Sequence, residues 1–384
     1  MASSASPSAG SEVRTRPVHG RLMSLDALRG FDMFWILGAD SIGGAVLGVQ
    51  GGSLVRAIGT QLDHVAWEGF RFYDLIFPLF VFMVGISIVL SLSRIVAQGG
   101  HREALGRVLR RTLLLYLLGV FVYGGFSTPF QEIRLLGVLQ RIAICYGITA
   151  TLFLYCRPRT LAAIAVGILL GYWALLAWVP APGEPVVTWA EGRNIVNWFD
   201  SKFLPLRRWD GSHDPEGILS TAPAVVTCLL GVFAGLYLTD PRRSDREKVR
   251  HLALCGLGLV LLGHGWGLVF PVIKKLWTSS YVLLAGGWSL ILLAAFHEII
   301  EVRGWRRWAQ PFVWIGMNPI ALYLLAHVVS FQQLAERLVG GSVAQTLDAR
   351  VAPGFGGFLI SLTSILLCVA VARFLYVRQI FIRL

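Results

Sequence analysis

Long apolar runs alternate with short charged connections along almost the whole chain, and each run is near the 20 residues that a helix needs to cross a bilayer. About ten such runs can be traced: Ala27 to Val49, Tyr73 to Ile95, Leu109 to Tyr123, Ile133 to Tyr155, Leu161 to Val179, Ser220 to Leu238, Leu252 to Val272, Ser279 to Ile300, Pro311 to Phe331 and Gly354 to Tyr376. The pattern predicts an all-α polytopic membrane protein over residues 21–384, with one long connection between runs at 180–217. Residues 1–20, rich in Ser, Ala and Pro and lacking an apolar core, read as a disordered cytoplasmic tail rather than a signal peptide. No internal repeat stands out, although an inverted-repeat transporter remains compatible with helix pairs of similar length.

Charge orients the runs. One alternate set of connections carries Arg94, Arg102, Arg107, Arg110 and Arg111, then Arg157 and Arg159, then five basic residues between 242 and 250, then Arg303, Arg306 and Arg307. The other set has fewer basic residues over longer loops. The positive-inside bias therefore places both termini in the cytoplasm, and the segment around residue 64 and the 180–217 loop on the outer side. The composition agrees: 55% of the 384 residues are hydrophobic and 15% charged, with mean hydropathy +0.65, where a water-soluble domain carries roughly a quarter charged residues. The net charge of +12 sits in short loops between apolar runs, not on a stripe or patch, which excludes a nucleic-acid partner and points to the lipid bilayer. The five cysteines lie mostly inside apolar runs with no C-x-x-C pair, so neither a disulfide framework nor a metal site is implied.

Polar residues that interrupt the pattern are the candidates for chemistry, because unpartnered polar groups near hydrocarbon are costly. His64, Trp67, Glu68, Tyr73, Asp74 and Pro78 crowd the mouth of the second run. Asp26 and Arg29, three apart, share a helix face and form a structural ion pair or flank a cofactor entrance. Gln140 and Arg141 interrupt the fourth run, and Arg141 either contacts phosphates or neutralises a carboxylate such as Asp74 or Glu132. Lys274, Lys275, Trp277, Ser279, Ser280 and Tyr281 form an outer polar cluster that holds an anionic sugar or meets lipid head groups. Met317, Asn318 and Pro319 break the ninth run, where Pro319 removes a backbone donor, so Asn318 lines a pocket or marks a kink. The outer loop, with GRNIVNWFDSKFLP and RRWDGSHDPEG, suits either a sugar-binding lid or an interfacial aromatic belt. No G-x-G-x-x-G or P-loop is present.

Six blocks, in order, carry a resemblance: RLMSLDALRGFDMFWILGAD (Arg21 to Asp40), DHVAWEGFRFYDLIFPLFVFMVGISI (Asp63 to Ile88), GVLQRIAICY (Gly137 to Tyr146), DPEGILST (Asp214 to Thr221), FPVIKKLWTSSYVLLAGG (Phe270 to Gly287) and GMNPIALYLL (Gly316 to Leu325). Together they resemble the transmembrane acyltransferases typified by heparan-α-glucosaminide N-acetyltransferase, and most of all bacterial relatives associated with N-acetylglucosamine utilisation. The resemblance implies a multi-pass inner-membrane enzyme that takes acetyl-CoA on the cytoplasmic side and acetylates the amino group of a glucosamine-type sugar on the far side, and it implies a homodimer. The family's H-x-x-W-x-G-x-x-x-x-D pattern is matched by His64, Trp67, Gly69 and Asp74. An asparagine in the family's first helix aligns with Asp40, which makes Asp40 the candidate for orienting the imidazole.

On this reading His64 acts as general base toward the amine or accepts the acetyl group itself; both routes stay open. Trp67, Asp74, Asn318, Lys274 and Trp277 are the candidates for binding the sugar, and Arg141, Gln140 and Arg29 for binding CoA, with arginines rather than a glycine-rich loop holding its phosphates. The rival reading is a proton-coupled amino-sugar permease using His64, Asp74 and Arg141 as proton carriers.

Overall fold

The computed structural model describes residues 22–49 and 52–382, except the side chains of Ala39, Asp40 and Phe126; the stretch read as a tail, residues 1–20, lies outside them. Among the described residues the regular structure is helical, and extended pairing is limited to one isolated antiparallel bridge, Glu68 with Ile273. The helices in chain order are α1 (Met23–Gly48), α2 (Ser53–Gln61), α3 (Ile76–Ala97), α4 (His101–Val122), α5 (Val138–Tyr155), α6 (Pro158–Trp178), α7 (Ile195–Phe203), α8 (Thr221–Leu238), α9 (Asp245–Gly267), α10 (Ser279–His297), α11 (Gln310–Gly316), α12 (Pro319–Val328), α13 (Phe331–Val339), α14 (Ser342–Arg350) and α15 (Phe355–Val377).

Seven of them are long and apolar enough to cross a membrane, and two bent pairs raise the number to nine. One pair lies within α1, bent by 61° between Gly38 and Ser41; the other is α11 with α12, bent by 78° at Met317–Asn318. Pro319 is the first residue of α12, where its missing amide costs nothing, so the break expected at that proline becomes the start of a new helix. The remaining apolar run, Leu109 to Tyr123, is the second half of α4. That helix starts at His101, earlier than the run, and its first turns carry Arg102, Arg107, Arg110 and Arg111.

Burial sorts the helices into layers. In α3 and α8, 72% of the most apolar stretch is buried within the protein, whereas α6 and α15 bury 28% and α9 buries 22%. The first two are therefore the centre of the bundle, and the last three leave most of their apolar surface to lipid. The central pair approaches at small residues. A Cβ on Gly85 would meet the Cys228 carbonyl oxygen at 1.9 Å, and one on Gly231 the Phe82 carbonyl oxygen at 1.8 Å. Backbones brought this close gain dispersion contacts where no hydrophobic drive exists between helices in lipid.

That contact gives a test of the packing. Gly85→Val forces α3 and α8 apart at a place with no room to yield, and overpacking of this kind costs roughly 1–3 kcal/mol or more. The melting temperature of the purified protein in detergent is expected to drop well below that of the wild type. An equal substitution at Gly171, where a Cβ meets nothing, should leave it nearly unchanged.

Candidate active site

The chain leaves α2 at Gln61, crosses residues 62–71 without regular structure, and enters α3 through a 3-10 turn, Phe72–Leu75. That turn buries the Asp74 carboxylate, 1% exposed, at the head of a membrane-spanning helix, where it has to be satisfied. Its Oδ1 lies 2.8 Å from His64 Nδ1, and its Oδ2 accepts the backbone amides of Arg71 at 3.1 Å and Val65 at 3.3 Å. The Asp74 carbonyl accepts the Tyr281 hydroxyl at 2.8 Å, tying the turn to α10. The Arg71 guanidinium donates to the His64 carbonyl at 3.0 Å. With Nδ1 taken by the carboxylate, Nε2 is the ring atom left for chemistry, on a side chain 47% exposed.

A third group reaches the same ring. Lys274 Nζ lies 2.9 Å from His64 Nδ1, 3.2 Å from Nε2 and 3.5 Å from Asp74 Oδ1. Near-equal distances to both ring nitrogens set the ammonium against the ring face rather than along either lone pair. The Glu68–Ile273 bridge and the Gly69 amide donating to the Val272 carbonyl at 2.9 Å hold the two loops together. Trp277, at φ 53°, adopts the left-handed conformation that closes the Lys274–Thr278 turn.

Beneath this lies an ionic layer built by the DPEG block. Arg134, sandwiched between Tyr123 and Trp209 at 4.8 and 4.9 Å, donates to Asp214 at 2.9 and 2.6 Å and to Glu216 at 2.5 Å. The carboxylates outweigh the cost of burying the guanidinium and raise its already high pKa, while burial raises that of Glu216. Arg141, fully buried, donates to the Gly217 carbonyl at 3.1 Å and to the Ser220 hydroxyl, and its guanidinium lies 5.0 Å from the Trp277 ring centre; its Nε and Nη1 have no hydrogen-bond partner among the described residues. Asp200 on α7 accepts the Ile218 amide at 2.9 Å, and burial pushes its carboxyl up to about 6.

The residues singled out from the sequence do not form one cluster. His64, Asp74 and Lys274 come together. Trp67 stands beside them, its Nε1 donating to the Trp189 carbonyl of the 180–217 loop at 2.9 Å. The carboxylate holding the imidazole is Asp74; the Asp40 side chain lies outside the described residues. Trp277, 1% exposed, is a core platform for Arg141 with its Nε1 on Thr227 at 3.1 Å, not a face open to sugar, and Ser279, Ser280 and Tyr281 are buried with it, away from lipid head groups. Gln140, whose amide donates to the Arg134 carbonyl at 3.2 Å, and Arg141 sit at the His64 end of the bundle, while Arg29 lies toward the other end of α1. Asn318 uses both amide atoms on the C-terminal segment, Nδ2 on the Ile380 carbonyl and Oδ1 on the Ile382 amide, each at 2.9 Å. The sequence reading missed Arg134, Asp200 and Arg111. Arg134 and Arg111 were visible only as loop or helix-end charges, and Asp200 as one of many polar residues in the lid.

Arg29 pairs with Asp26 at 3.3 Å and with Ser87 at 3.0 Å, and lines a cavity of about 290 Å³ together with Ser91, Arg111, Tyr146, Met317 and Ile382. Arg111 lies 4.8 Å over the Tyr146 ring, and its Nε has no hydrogen-bond partner among the described residues. On α3 the cavity extends to Phe80, six residues from Asp74, or about 9 Å along a helix.

The fold and the site together define a multi-pass, all-helical membrane protein with a histidine–carboxylate pair at one end of its central helix and an arginine-lined cavity approaching it from the other. Its relatives sharpen that class: the chain is 26% identical over 387 aligned residues, covering 82% of its length, to heparan-alpha-glucosaminide N-acetyltransferase from Homo sapiens, and 27% identical over 319 residues, covering 68%, to the same protein from Mus musculus. It is thus a relative of these N-acetyltransferases, as the six sequence blocks imply. The chain spans about half the length of these curated relatives, 56% and 48%. No protein-family model matches it.

Asp200 gives a pH test of the ionic layer. An acid whose folded pKa lies above its unfolded value is held protonated by the fold, so stability falls as pH climbs from the ordinary 3.8 to about 6 and is level above. The full span is worth up to about 3 kcal/mol. Asp200→Asn keeps the acceptor for Ile218 and removes the ionisation. Its melting temperature is expected to exceed the wild type's by a margin that widens from pH 4 to pH 6.5 and then holds; a margin independent of pH would show that Asp200 does not titrate there.

Proposed function

We propose that the protein is a transmembrane N-acetyltransferase that moves an acetyl group from acetyl-CoA, bound from the cytoplasm, to the amino group of a glucosamine-type sugar on the outer side of the inner membrane. The observation that carries the reading is the His64–Asp74 pair, set at the head of one of the two most buried spans in a chain related to N-acetyltransferases. Asp74 fixes the imidazole through Nδ1 and stabilises the ring when it gains charge, which leaves Nε2 to take the proton from the attacking amine. The amine nitrogen bonds to the acetyl carbon, the C–S bond breaks, and the proton lost by the amine balances the thiolate, which leaves as CoA thiol. If Nε2 instead accepts the acetyl group first, an Nε2–acetyl bond forms as the C–S bond breaks and the thiolate leaves; the amine nitrogen then bonds to the acetyl carbon as the Nε2–acetyl bond breaks, and the amine's proton again balances the thiolate.

Lys274 adds a positive charge beside the place where the thioester oxygen becomes an oxyanion, a role that electrostatic preorganisation favours. Arg29 and Arg111 supply guanidinium groups for the phosphates of CoA at the far end of the cavity, in place of the Arg141 and Gln140 expected from the sequence. Trp67 and the Trp189 loop form the wall against which the sugar stacks. The positive-inside bias supports the assignment of sides, and the self-association implied by the resemblance remains part of the proposal.

The protein in liposomes, given labelled acetyl-CoA and glucosamine, is expected to release N-acetylglucosamine. His64→Ala and Asp74→Asn should each lower the rate roughly 10²-fold or more. Transport of labelled glucosamine in the absence of acetyl-CoA, with no mass change, would instead establish the permease.

The cavity makes a separate prediction. Arg111→Met and Arg29→Met are expected to raise KM for acetyl-CoA several-fold each while kcat changes little, because phosphate binding far from the reacting atoms is felt equally in ground and transition states. A fall in kcat at unchanged KM would remove these arginines from donor binding.

A further inference from the structure

The outer loop brings three metal-ligating side chains together from separate turns. Glu191 precedes the left-handed Gly192 at the approach to α7, and Asp210 and His213 are the two ends of a tight turn closed by the Asp210 amide on the His213 carbonyl at 3.1 Å. His213 Nε2 lies 3.6 Å from Glu191 Oε1 and 3.5 Å from Asp210 Oδ2. These spacings are too long for hydrogen bonds. Both match the roughly 3.3–3.6 Å between ligand atoms arranged tetrahedrally at 2.0–2.2 Å around one zinc ion, and the three ligand atoms all lie within 4.8 Å of one another.

His213 is the independent sign that the cluster is built for a cation. The side chain is 2% exposed, and among the described residues its Nε2 has no hydrogen-bond partner. Its Nδ1 lies 3.0 Å from the Ser212 hydroxyl, the kind of support that fixes a ligating ring. A cation already occupies the space between the carboxylates: Lys275 Nζ stands 2.7 Å from Glu191 Oε1 and 2.9 Å from Asp210 Oδ2.

We propose that Glu191, Asp210 and His213 Nε2 form a binding site for a divalent transition metal, zinc being the best match, for which Lys275 is the built-in competitor. Two carboxylates and a neutral imidazole compensate a dication fully, so metal entry turns Lys275 out toward solvent, where its side chain is already 30% exposed. The metal then clamps the Glu191 turn to the Asp210–His213 turn beside Trp67, and the displaced Lys275 is one residue along the chain from the Lys274 that lies on His64. The site acts on the lid rather than in acetyl transfer, so it stands whether or not the acetyltransferase reading does.

Co2+ titration of the detergent-purified full chain, carrying a tag without histidine, tests this through the visible absorption of tetrahedral Co2+. One equivalent is expected to bind, with Zn2+ displacing it. Lys275→Met is expected to tighten binding at least about tenfold, and His213→Gln and Asp210→Asn to abolish it in both backgrounds, with melting curves confirming folded protein. Binding by Lys275→Met alone supports the same ligand set under a dominant competitor. Absence of binding by both wild type and Lys275→Met, or binding that survives His213→Gln, overturns the proposal.

Discussion

A carboxylate buried at the head of the central span is the constraint from which the rest of the site follows. Asp74 cannot be solvated where it sits, and an ionised carboxylate in that position is tolerable only with several donors. The protein supplies two backbone amides, an imidazole and an ammonium within 3.5 Å. Each donor fixes a segment: Val65 and Arg71 shape the loop before α3, His64 is held through Nδ1, and Lys274 draws in the turn before α10. The Tyr281 hydroxyl on the Asp74 carbonyl then locks that turn to the helix behind it. Satisfying one charge therefore assembles residues that are more than two hundred positions apart in the chain.

The same logic repeats one layer in. Arg134 neutralises Asp214 and Glu216, and the block they belong to presents the Gly217 carbonyl and the Ser220 hydroxyl to Arg141. Arg141 thus reaches a carbonyl and a hydroxyl instead of the Asp74 or Glu132 that its place in an apolar run suggested. Buried ions of this sort contribute little net stability but fix geometry, because removing one partner strands the other. That is the physical reason a polar layer lies between the reacting end and the apolar centre.

Much of the fold was legible because hydropathy reports length and burial directly. Every run read from the sequence falls on a helix or a bent pair, and the differences lie where hydropathy is blind: α4 begins in charged residues, and the run near Pro319 changes direction by 78° without losing apolar character. The site was legible only in part. His64 and Asp74 share a helix mouth, so their meeting needed one short loop, whereas Lys274 reaches the ring through a loop pairing that leaves no local pattern. Trp277 shows the opposite error. An aromatic beside two lysines looks like an interfacial platform until the left-handed turn at that residue sends it inward onto Arg141. His213 was hidden for a related reason: one of its two partner carboxylates, Glu191, lies on another turn, and metal motifs are read by spacing within one segment.

The two ends of the bundle set a requirement on any donor that serves both. From Asp74 to Ser87 is 13 helical residues, about 20 Å, against a hydrocarbon thickness near 30 Å. A molecule anchored by Arg29 and Arg111 must therefore carry its reactive group on a long thin arm to approach His64, and the cavity's reach to Phe80 covers roughly half of that distance. A compact donor would satisfy the arginines or the histidine, not both. Acetyl-CoA, with phosphates at one end and a thioester at the end of an extended chain, has that shape. On the acetyl-transfer reading, the arginines hold the part of the donor that never reacts, and their binding energy positions the part that does.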